Sequence, residues 1–148
     1  HKPEVILSGR LLNDNMHKFI VSDVISNASD KNIDTSELKV LIMGFTFKEN
    51  CPDYRNSRSF HLMKEFEKKN CIVDVFDPWI DSEKINAEYN FMPVQKPKNN
   101  YYDVIIITIA HDEFLRMGKD KISNLGKDNH LLYDMKYILN SDEVDARL

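Results

Sequence analysis

The sequence predicts an α/β protein, a Rossmann-like doubly wound parallel sheet preceded by a long N-terminal helix. Two observations support this fold class. Short apolar runs such as Val40–Met43 and Val104–Ile109 have the composition of strands that are buried on both faces of a parallel sheet. These runs alternate with segments whose apolar residues recur at helical spacing, which is the order of elements in β–α–β units.

The N-terminal segment, Pro3–Ala28, is predicted to form one long helix with an apolar stripe. Polar and turn-forming residues follow at 29–36 and indicate a linker. We therefore expect a helix at 1–28, a linker at 29–37 and an α/β domain at 38–148. The stripe consists of Leu12, Met16, Ile20 and Val24, joined by Val5 and Phe19.

The remaining elements follow in the order expected of such a sheet. After the first strand, the segment Ser57–Lys69 has apolar residues at three-residue spacing, which predicts a helix with Asn56 or Ser57 as its N-cap. The further predicted elements are a strand at Cys71–Phe76, a short helix at Asp81–Tyr89, a strand at Val104–Ile109, helical turns at Asp112–Met117 and Lys119–Leu125, and a strand at Leu131–Tyr133.

Length and composition limit the class of protein. The chain has 148 residues, of which 42% are hydrophobic and 30% charged, as suits one globular domain with an appended element. The formal net charge of -4 argues against sequence-independent nucleic-acid binding, which needs a basic surface. No apolar run approaches the roughly 18 residues of a membrane span, and no signal-peptide pattern is present. We therefore expect a cytoplasmic protein without a membrane partner.

The start of the chain and its cysteines add two further expectations. The chain begins at His1 and enters a helical pattern almost at once, so we expect a fragment of a longer polypeptide. Cys51 and Cys71 stand in no CxxC or Cys/His array, which argues against a metal site and against a disulfide scaffold. Cys51 also has no neighbouring base in the sequence, so a nucleophilic role is not expected.

Ligands of doubly wound sheets bind beyond the carboxyl ends of the strands, near the position where the strand order reverses. Four stretches of this sequence follow predicted strands, and we expect them to lie along one edge of the sheet. They are residues 44–57, 77–79, 110–112 and 134–136.

The first of these stretches, GFTFKENCPDYRNS, is a candidate anion site. Gly44 permits a tight exit from the strand, and the following helix begins with unpaired N–H groups. Lys48, Arg55 and Arg58 supply the cations that a net acidic domain otherwise lacks. Composition alone favours a different interpretation, surface ion pairs that bind nothing. The acids available to Lys48 and Arg55 are Glu49 and Asp53.

The other strand ends carry weaker indications. Asp77 could accept hydrogen bonds from a ribose, but Asp-Pro more often opens a turn. His111 and Asp112 could form an acid/base pair, although the pattern favours Asp112 as a helix cap with His111 packed beside it. Lys136 could contact an anion or be exposed. From spacing alone no complete catalytic set is predicted.

The residues of the first motif resemble a known family. Gly44–Ser57 is similar to the G-x-x-F-K-x-x-x-x-D-x-R-x-S/T motif that begins the C-terminal domain of the UDP-glucose/GDP-mannose dehydrogenase family. Ser8–Asp14 resembles the end of that family's central helical region, so the resemblance covers essentially the whole chain. Further matches follow in the family's order: Val75–Pro78, Tyr102–Ile105, Ala110–Phe114, Tyr133–Lys136 and Val144–Leu148.

The resemblance implies a function. Members of this family use NAD to oxidise the C6 hydroxyl of a nucleotide sugar to a carboxylate, through a covalent thiohemiacetal on a cysteine. That cysteine belongs to a Gly-Gly-x-Cys segment which this chain lacks, together with the dinucleotide fingerprint, so no catalytic residue is expected here and the chain alone is expected to be inactive. The KENCPD segment resembles the UDP-N-acetylhexosamine branch, which feeds capsule and O-antigen synthesis in bacteria.

The resemblance also implies roles for particular residues. Lys48 is expected to contact the UDP-sugar, and Arg55 to reach NAD across the domain interface. Lys136 stands where the glucose enzymes carry an Arg that touches the substrate, so substrate binding is implied there without the bidentate fork of Arg. The N-terminal helix is implied to form a homodimer. Alternatives are a fragment of a UDP-glucose or GDP-mannose 6-dehydrogenase, and a stand-alone nucleotide-binding module without enzymatic activity.

Overall fold

A parallel sheet of five strands, flanked by helices, forms the domain. The computed structural model describes the backbone of residues 2–148 and the side chains from Asn15 onward. The strand order is β2-β1-β3-β4-β5, and every pairing is parallel, which confirms the predicted fold class. The elements are α1 Lys2–Asp30, β1 Lys39–Met43, α2 Arg58–Lys68, β2 Ile72–Phe76, α3 Ser82–Tyr89, β3 Tyr102–Ile107, α4 Asp112–Ser123, β4 Gly126–Asp134, a 3-10 turn Ser141–Glu143, and β5 Ala146–Arg147.

The strand order places the switch point between β1 and β3. The chain runs from β1 outward to β2 and then returns to β3 on the other side of β1, so the direction of winding reverses at this pair. Alternate residues of β1 pack on opposite faces of the sheet. Val40 and Ile42 pack with α1 and α2, whereas Leu41 and Met43 pack with α4. The continuous apolar run is therefore explained by a strand with both faces covered.

The C-terminal half of α1 belongs to the same core as the sheet. Tyr133 of β4 donates a hydrogen bond from its hydroxyl to Asp23 Oδ2 of α1, at 2.7 Å. Burial, together with this bond, raises the pKa of Tyr133, which keeps the phenol neutral and able to donate. Among the described side chains of α1, those buried in this core are Ile20, Val21, Val24 and Ala28.

The prediction of the apolar stripe on α1 is wrong for two of its members. Met16 and Phe19 are 44% and 57% exposed. Among the described side chains of α1, those that face the core begin at Ile20, and Met16 borders a cleft instead of the sheet. Val5 and Leu12 of the stripe lie outside the described side chains.

Several element boundaries also differ from prediction, for physical reasons. β3 ends at Ile107, because the Thr108 side chain bonds the carbonyls of Met43 and Gly44 and turns the chain out of the sheet. β4 begins at Gly126, five residues before the predicted start at Leu131, in a polar stretch that carries no apolar pattern. β5 has two residues and no sequence signal. The two helical turns predicted after residue 111 form α4, with a break at Gly118.

Among the described residues, no helix combines the length and apolar character needed to cross a bilayer.

Candidate functional site

The loop after β1 leaves the sheet at the switch point through Gly44. This residue has φ +119°, a conformation that side-chain-bearing residues rarely adopt. A Cβ added here would lie 2.6 Å from Ile109 Cβ and 2.8 Å from Thr108 Oγ1. The ends of β1 and β3 therefore approach each other too closely for any side chain, and the predicted tight exit at Gly44 is confirmed.

The Asp77 carboxylate, after β2, anchors this loop. Its Oδ2 accepts hydrogen bonds from the N–H groups of Phe45 and Thr46, at 2.6 and 3.1 Å, and its Oδ1 accepts one from Trp79 N–H at 2.8 Å. A fourth donor is His111 Nε2, 2.9 Å from Oδ2. The favoured interpretation of Asp77 as a turn residue is thus confirmed, and protein donors occupy the carboxylate that a ribose would need.

His111 is fully buried and bonded through both ring nitrogens. Its Nδ1 accepts the backbone N–H of Asn50 at 3.0 Å, so the ring proton is on Nε2, which faces Asp77. Asp112 is exposed, and its N–H donates to Asn50 Oδ1. The prediction of Asp112 as the helix cap is wrong by one residue, because His111 has the extended backbone of an N-cap and α4 begins at Asp112.

A cleft of about 520 Å³ opens between α1, the start of α2 and the ends of β1, β3 and β4. Four basic side chains line it, His17, Arg58, His61 and Lys136, and no Asp or Glu side chain does so among the described residues. In a chain of net charge -4 the cleft is thus a local concentration of basic groups. Its other lining residues are Met16, Ile20, Thr46, Phe47, Asn56, Ser59, Leu62, Thr108, Ile109, Met135 and Leu148.

The predicted substrate-binding lysines occupy different positions at this edge. Lys136 lines the cleft. Lys48 is exposed on the loop after β1; its neighbours Thr46 and Phe47 line the cleft, but Lys48 does not. The alternative ion pair between Lys48 and Glu49 is absent from the part of the chain that the structure describes, so that prediction is wrong.

The ion pair predicted from composition for Arg55 is present. Its Nε and Nη2 donate to the two oxygens of Asp53, at 3.0 and 2.8 Å, and its side chain is 83% exposed. The guanidinium lowers the pKa of Asp53 to about 2. The pair is a bidentate fork that fixes the orientation of Arg55 on the surface.

Arg58 of α2 was among the cations of the predicted anion site, whereas His17 of α1 and His61 of α2 were not predicted. His17 and His61 have stacked rings, with centroids 5.4 Å apart and an angle of 29° between their planes. Arg58 and His61 are three residues apart, and this spacing was the available signal that they share one face of α2. The contact between His17 and His61 joins distant parts of the sequence, which a single sequence does not reveal.

The two cysteines differ in their environment, and this difference gives a prediction. Cys71 is 7% exposed, and burial raises its pKa, whereas Cys51 is half-buried on the loop after β1. We expect iodoacetamide at neutral pH to alkylate Cys51 at least tenfold faster than Cys71, because burial shields the Cys71 thiol and raises its pKa, which lowers its thiolate fraction. Peptide mass spectrometry over a time course measures both rates, and equal rates would contradict the structure.

The fold and the cleft define a doubly wound α/β domain whose candidate ligand site lies at the switch point. The model of the UDP-glucose/GDP-mannose dehydrogenase family, UDP binding domain, matches residues 41–141. The chain belongs to this family, which confirms the resemblance carried by the sequence motifs.

Curated relatives match almost the whole chain. UDP-N-acetyl-D-glucosamine 6-dehydrogenase of Salmonella typhi is 47% identical over 146 residues, which are 99% of this chain and 34% of that protein. The protein of the same name from Pseudomonas aeruginosa is 45% identical and covers 100% of this chain and 35% of its own length. Protein CapL of Staphylococcus aureus is 36% identical, with coverages of 99% and 34%. The chain thus spans about a third of the length of these relatives.

Solved structures show the same fold. UDP-N-acetyl-mannosamine dehydrogenase Cap5O from S. aureus superposes with a TM-score of 0.73 over 99% of this chain and 33% of its own, at 18% identity. UDP-D-ManNAc dehydrogenase from Pyrococcus horikoshii gives a TM-score of 0.69 over 89% of this chain and 29% of its own, at 20% identity. At such identities the likeness concerns the fold alone.

Proposed function

We propose that this chain is the UDP-sugar-binding part of a bacterial, NAD-dependent UDP-N-acetylhexosamine 6-dehydrogenase of polysaccharide biosynthesis. The observation that carries the proposal is the cleft at the switch point, lined by basic side chains and free of Asp and Glu side chains among the described residues. A diphosphate is the part of a nucleotide sugar that such a lining attracts. The relatives support a hexosamine, since those named for UDP-N-acetyl-D-glucosamine are 47% and 45% identical and one named for UDP-glucose is 28% identical.

The basic residues of the cleft would neutralise the diphosphate. Arg58 offers a planar fork for two phosphate oxygens, and Lys136 offers a mobile point charge. Lys48 would approach the same ligand from the loop after β1, next to Phe47, which lines the cleft and is 65% exposed. The contribution of this domain is to hold the sugar in position for oxidation, with the covalent chemistry supplied by other parts of the longer protein.

The cofactor NAD would be held mainly outside this chain, with Arg55 as its contact here. In the family's reaction NAD accepts the hydride from C6 of the sugar. Arg55 fits a phosphate contact, because Asp53 uses Nε and Nη2 and leaves Nη1 pointing away from that pair. The exposed position of Arg55 suits a group supplied by another domain.

The N-terminal helix would contribute to a homodimer of the longer, cytoplasmic protein. The described part of α1 exposes Met16 and Phe19, which are 44% and 57% exposed. Exposed apolar side chains on one helix are typical of surfaces covered by a second chain.

Binding of UDP tests the proposal directly. We expect isothermal titration of the chain with UDP to give a measurable dissociation constant, and Lys136→Ala or Lys48→Ala each to weaken binding about tenfold, which is the low end of the effect of a charge-assisted hydrogen bond. Salt should weaken binding as well, because the contacts are exposed. Lys84→Ala is the matched control, an exposed lysine on α3 that does not line the cleft.

Two results would contradict the proposal at different levels. If millimolar UDP gives no heat, the UDP site is not preformed in this chain. If the longer protein turns over UDP-glucose in preference to UDP-N-acetylhexosamines, the substrate assignment is wrong although a nucleotide-sugar site exists. NAD is expected to bind the chain weakly compared with UDP, because Arg55 is its single proposed contact here.

A further inference from the structure

His111 occupies a closed site between aromatic rings at the start of α4. Its side chain is fully buried. The ring of Trp79 stacks with the imidazole at a centroid distance of 6.1 Å and an angle of 25°, and the ring of Phe114 meets it edge-on at 5.3 Å and 65°. Packing therefore fixes the plane of the imidazole. Its two nitrogens can form hydrogen bonds only with groups that lie in that plane.

The hydrogen bonds of this imidazole define one tautomer. Nδ1 accepts the N–H of Asn50, so the proton is on Nε2. Nε2 lies 2.9 Å from Asp77 Oδ2 and 3.2 Å from Thr46 Oγ1. The Thr46 hydroxyl in turn donates to the carbonyl of Lys48 at 2.9 Å. A chain of hydrogen bonds thus runs from His111 to the backbone of Lys48.

Asn50 closes the other end of the same segment. Its N–H donates to His111, and its side-chain Oδ1 accepts the N–H of Asp112 at 2.9 Å. Its φ of +56° lies in the left-handed region, which asparagine tolerates better than most residues. Residues 46 and 50 are therefore both bonded to the His111 ring, and 47–49 span the distance between them.

The segment between these two points carries the residues that face solvent. The Phe47 N–H is bonded to the carbonyl of Asp53 at 2.6 Å, whereas the Phe47 and Lys48 side chains project outward and are exposed. A fixed backbone lowers the entropy that Lys48 loses when it contacts a ligand. Loss of the bonds at His111 would leave Lys48 present but poorly placed.

We propose that His111, with its proton on Nε2, is the positioning residue that presents Lys48 to the diphosphate of the nucleotide sugar. This assignment rests on the proposed function for its ligand, while the bonds that produce it are properties of the chain alone. His111 touches neither the cleft nor the ligand, and it acts through Asn50 and Thr46.

Three variants separate the two nitrogens. In His111→Asn, the side-chain oxygen is the same number of bonds from Cβ as Nδ1 is in histidine. It can therefore still accept the hydrogen bond from the Asn50 N–H. The amide nitrogen of His111→Gln corresponds to Nε2 and retains the donor to Asp77. His111→Phe keeps the ring and removes both. Circular dichroism and thermal unfolding establish which variants are folded. If His111→Phe does not fold, the comparison between His111→Asn and His111→Gln still separates the two nitrogens.

Two readouts are independent of any ligand. Imidazole nitrogen NMR of the wild-type chain should show a protonated Nε2 and an unprotonated Nδ1. Hydrogen exchange of the Asn50 amide should be about tenfold or more faster in His111→Gln than in the wild type, and close to wild type in His111→Asn. A proton on Nδ1, or an Asn50 exchange rate that does not change in His111→Gln, would overturn the proposal.

Titration with UDP supplies the third readout. His111→Gln should weaken binding about as much as Lys48→Ala, roughly tenfold, and the double variant should bind no more weakly than Lys48→Ala alone, because both changes remove the same contact. Additive losses, or a His111→Gln variant that binds UDP like the wild type, would overturn positioning through Lys48. If the wild-type chain itself binds no UDP, the proposed function fails, and the NMR and exchange results separately decide whether His111 holds the loop.

Discussion

Asp77→Ala is expected to lower the free energy of unfolding of the chain by about 3–5 kcal/mol, the range seen when one partner of a buried charged network is removed. Four N–H donors lose their acceptor together, from Phe45, Thr46, Trp79 and His111. Each buried donor without a partner costs about 1–3 kcal/mol, and solvent entry relieves part of the sum. Urea denaturation followed by circular dichroism measures the change.

Asp77→Asn provides a graded comparison for this result. If its amide oxygen takes the place of Oδ2, it can retain the donors that meet there, while its NH2 group would face the N–H of Trp79. We expect about half the loss of the alanine variant. Asp128→Ala, at an exposed aspartate, should leave stability nearly unchanged. Asp77→Ala with a loss of less than about 1 kcal/mol would show that the loop does not depend on this carboxylate.

The parts of the fold that were predictable from the sequence are those with a local physical cause. β1 and β3 are apolar because both faces of each strand are covered, so their composition alone indicates central parallel strands. Ser57 was predictable as an N-cap, and its hydroxyl accepts the N–H of Phe60. β5 was not predictable, because two residues paired to the edge of β4 need no apolar pattern.

The candidate site was predictable in its position but not in its internal bonding. Because the ends of parallel strands share one edge, four stretches were expected to meet there, and the bonds of Asp77 and His111 together with the lining of the cleft confirm that they do. The partners of these residues lie far away in sequence: Asp77 bonds Phe45, and His111 bonds Asn50. Such pairings depend on the register of the sheet, and one sequence without homologues contains no record of it.

The sequence also did not reveal which of the predicted lysines lines the cleft. Lys48 and Lys136 were chosen by resemblance to one family motif each, and spacing could not distinguish a residue on the cleft from one beside it. Arg58, one of the cations of the predicted anion site, lines the cleft, and so does His61, which was not predicted. Their helical spacing placed them on one face of α2. The cleft forms because α1 packs against that face, which the spacing does not show.

Gly44→Ala is expected to lower the free energy of unfolding by about 3 kcal/mol or more. A backbone conformation this sparsely populated costs a non-glycine residue about 1–3 kcal/mol, and overpacking a close-packed site costs typically about 1–3 kcal/mol. The new Cβ would meet Ile109 Cβ at 2.6 Å and Thr108 Oγ1 at 2.8 Å, so the ends of β1 and β3 would have to separate. Thermal and urea unfolding measure the loss, and UDP titration of the folded fraction should show weaker binding.

Gly118→Ala is the matched control because it shares the strain without the collision. Gly118 has φ +71°, and an added Cβ there would meet no heavy atom within 4 Å apart from its chain neighbours and the backbone of its own helix. Its loss should stay near the strain cost alone, about 1–3 kcal/mol, and UDP binding should be unchanged. The excess loss in Gly44→Ala therefore measures the close approach of β1 and β3 at the switch point. Equal losses for the two glycines would mean that the sheet edge can open without cost, and that the cleft does not depend on the contact between these strand ends.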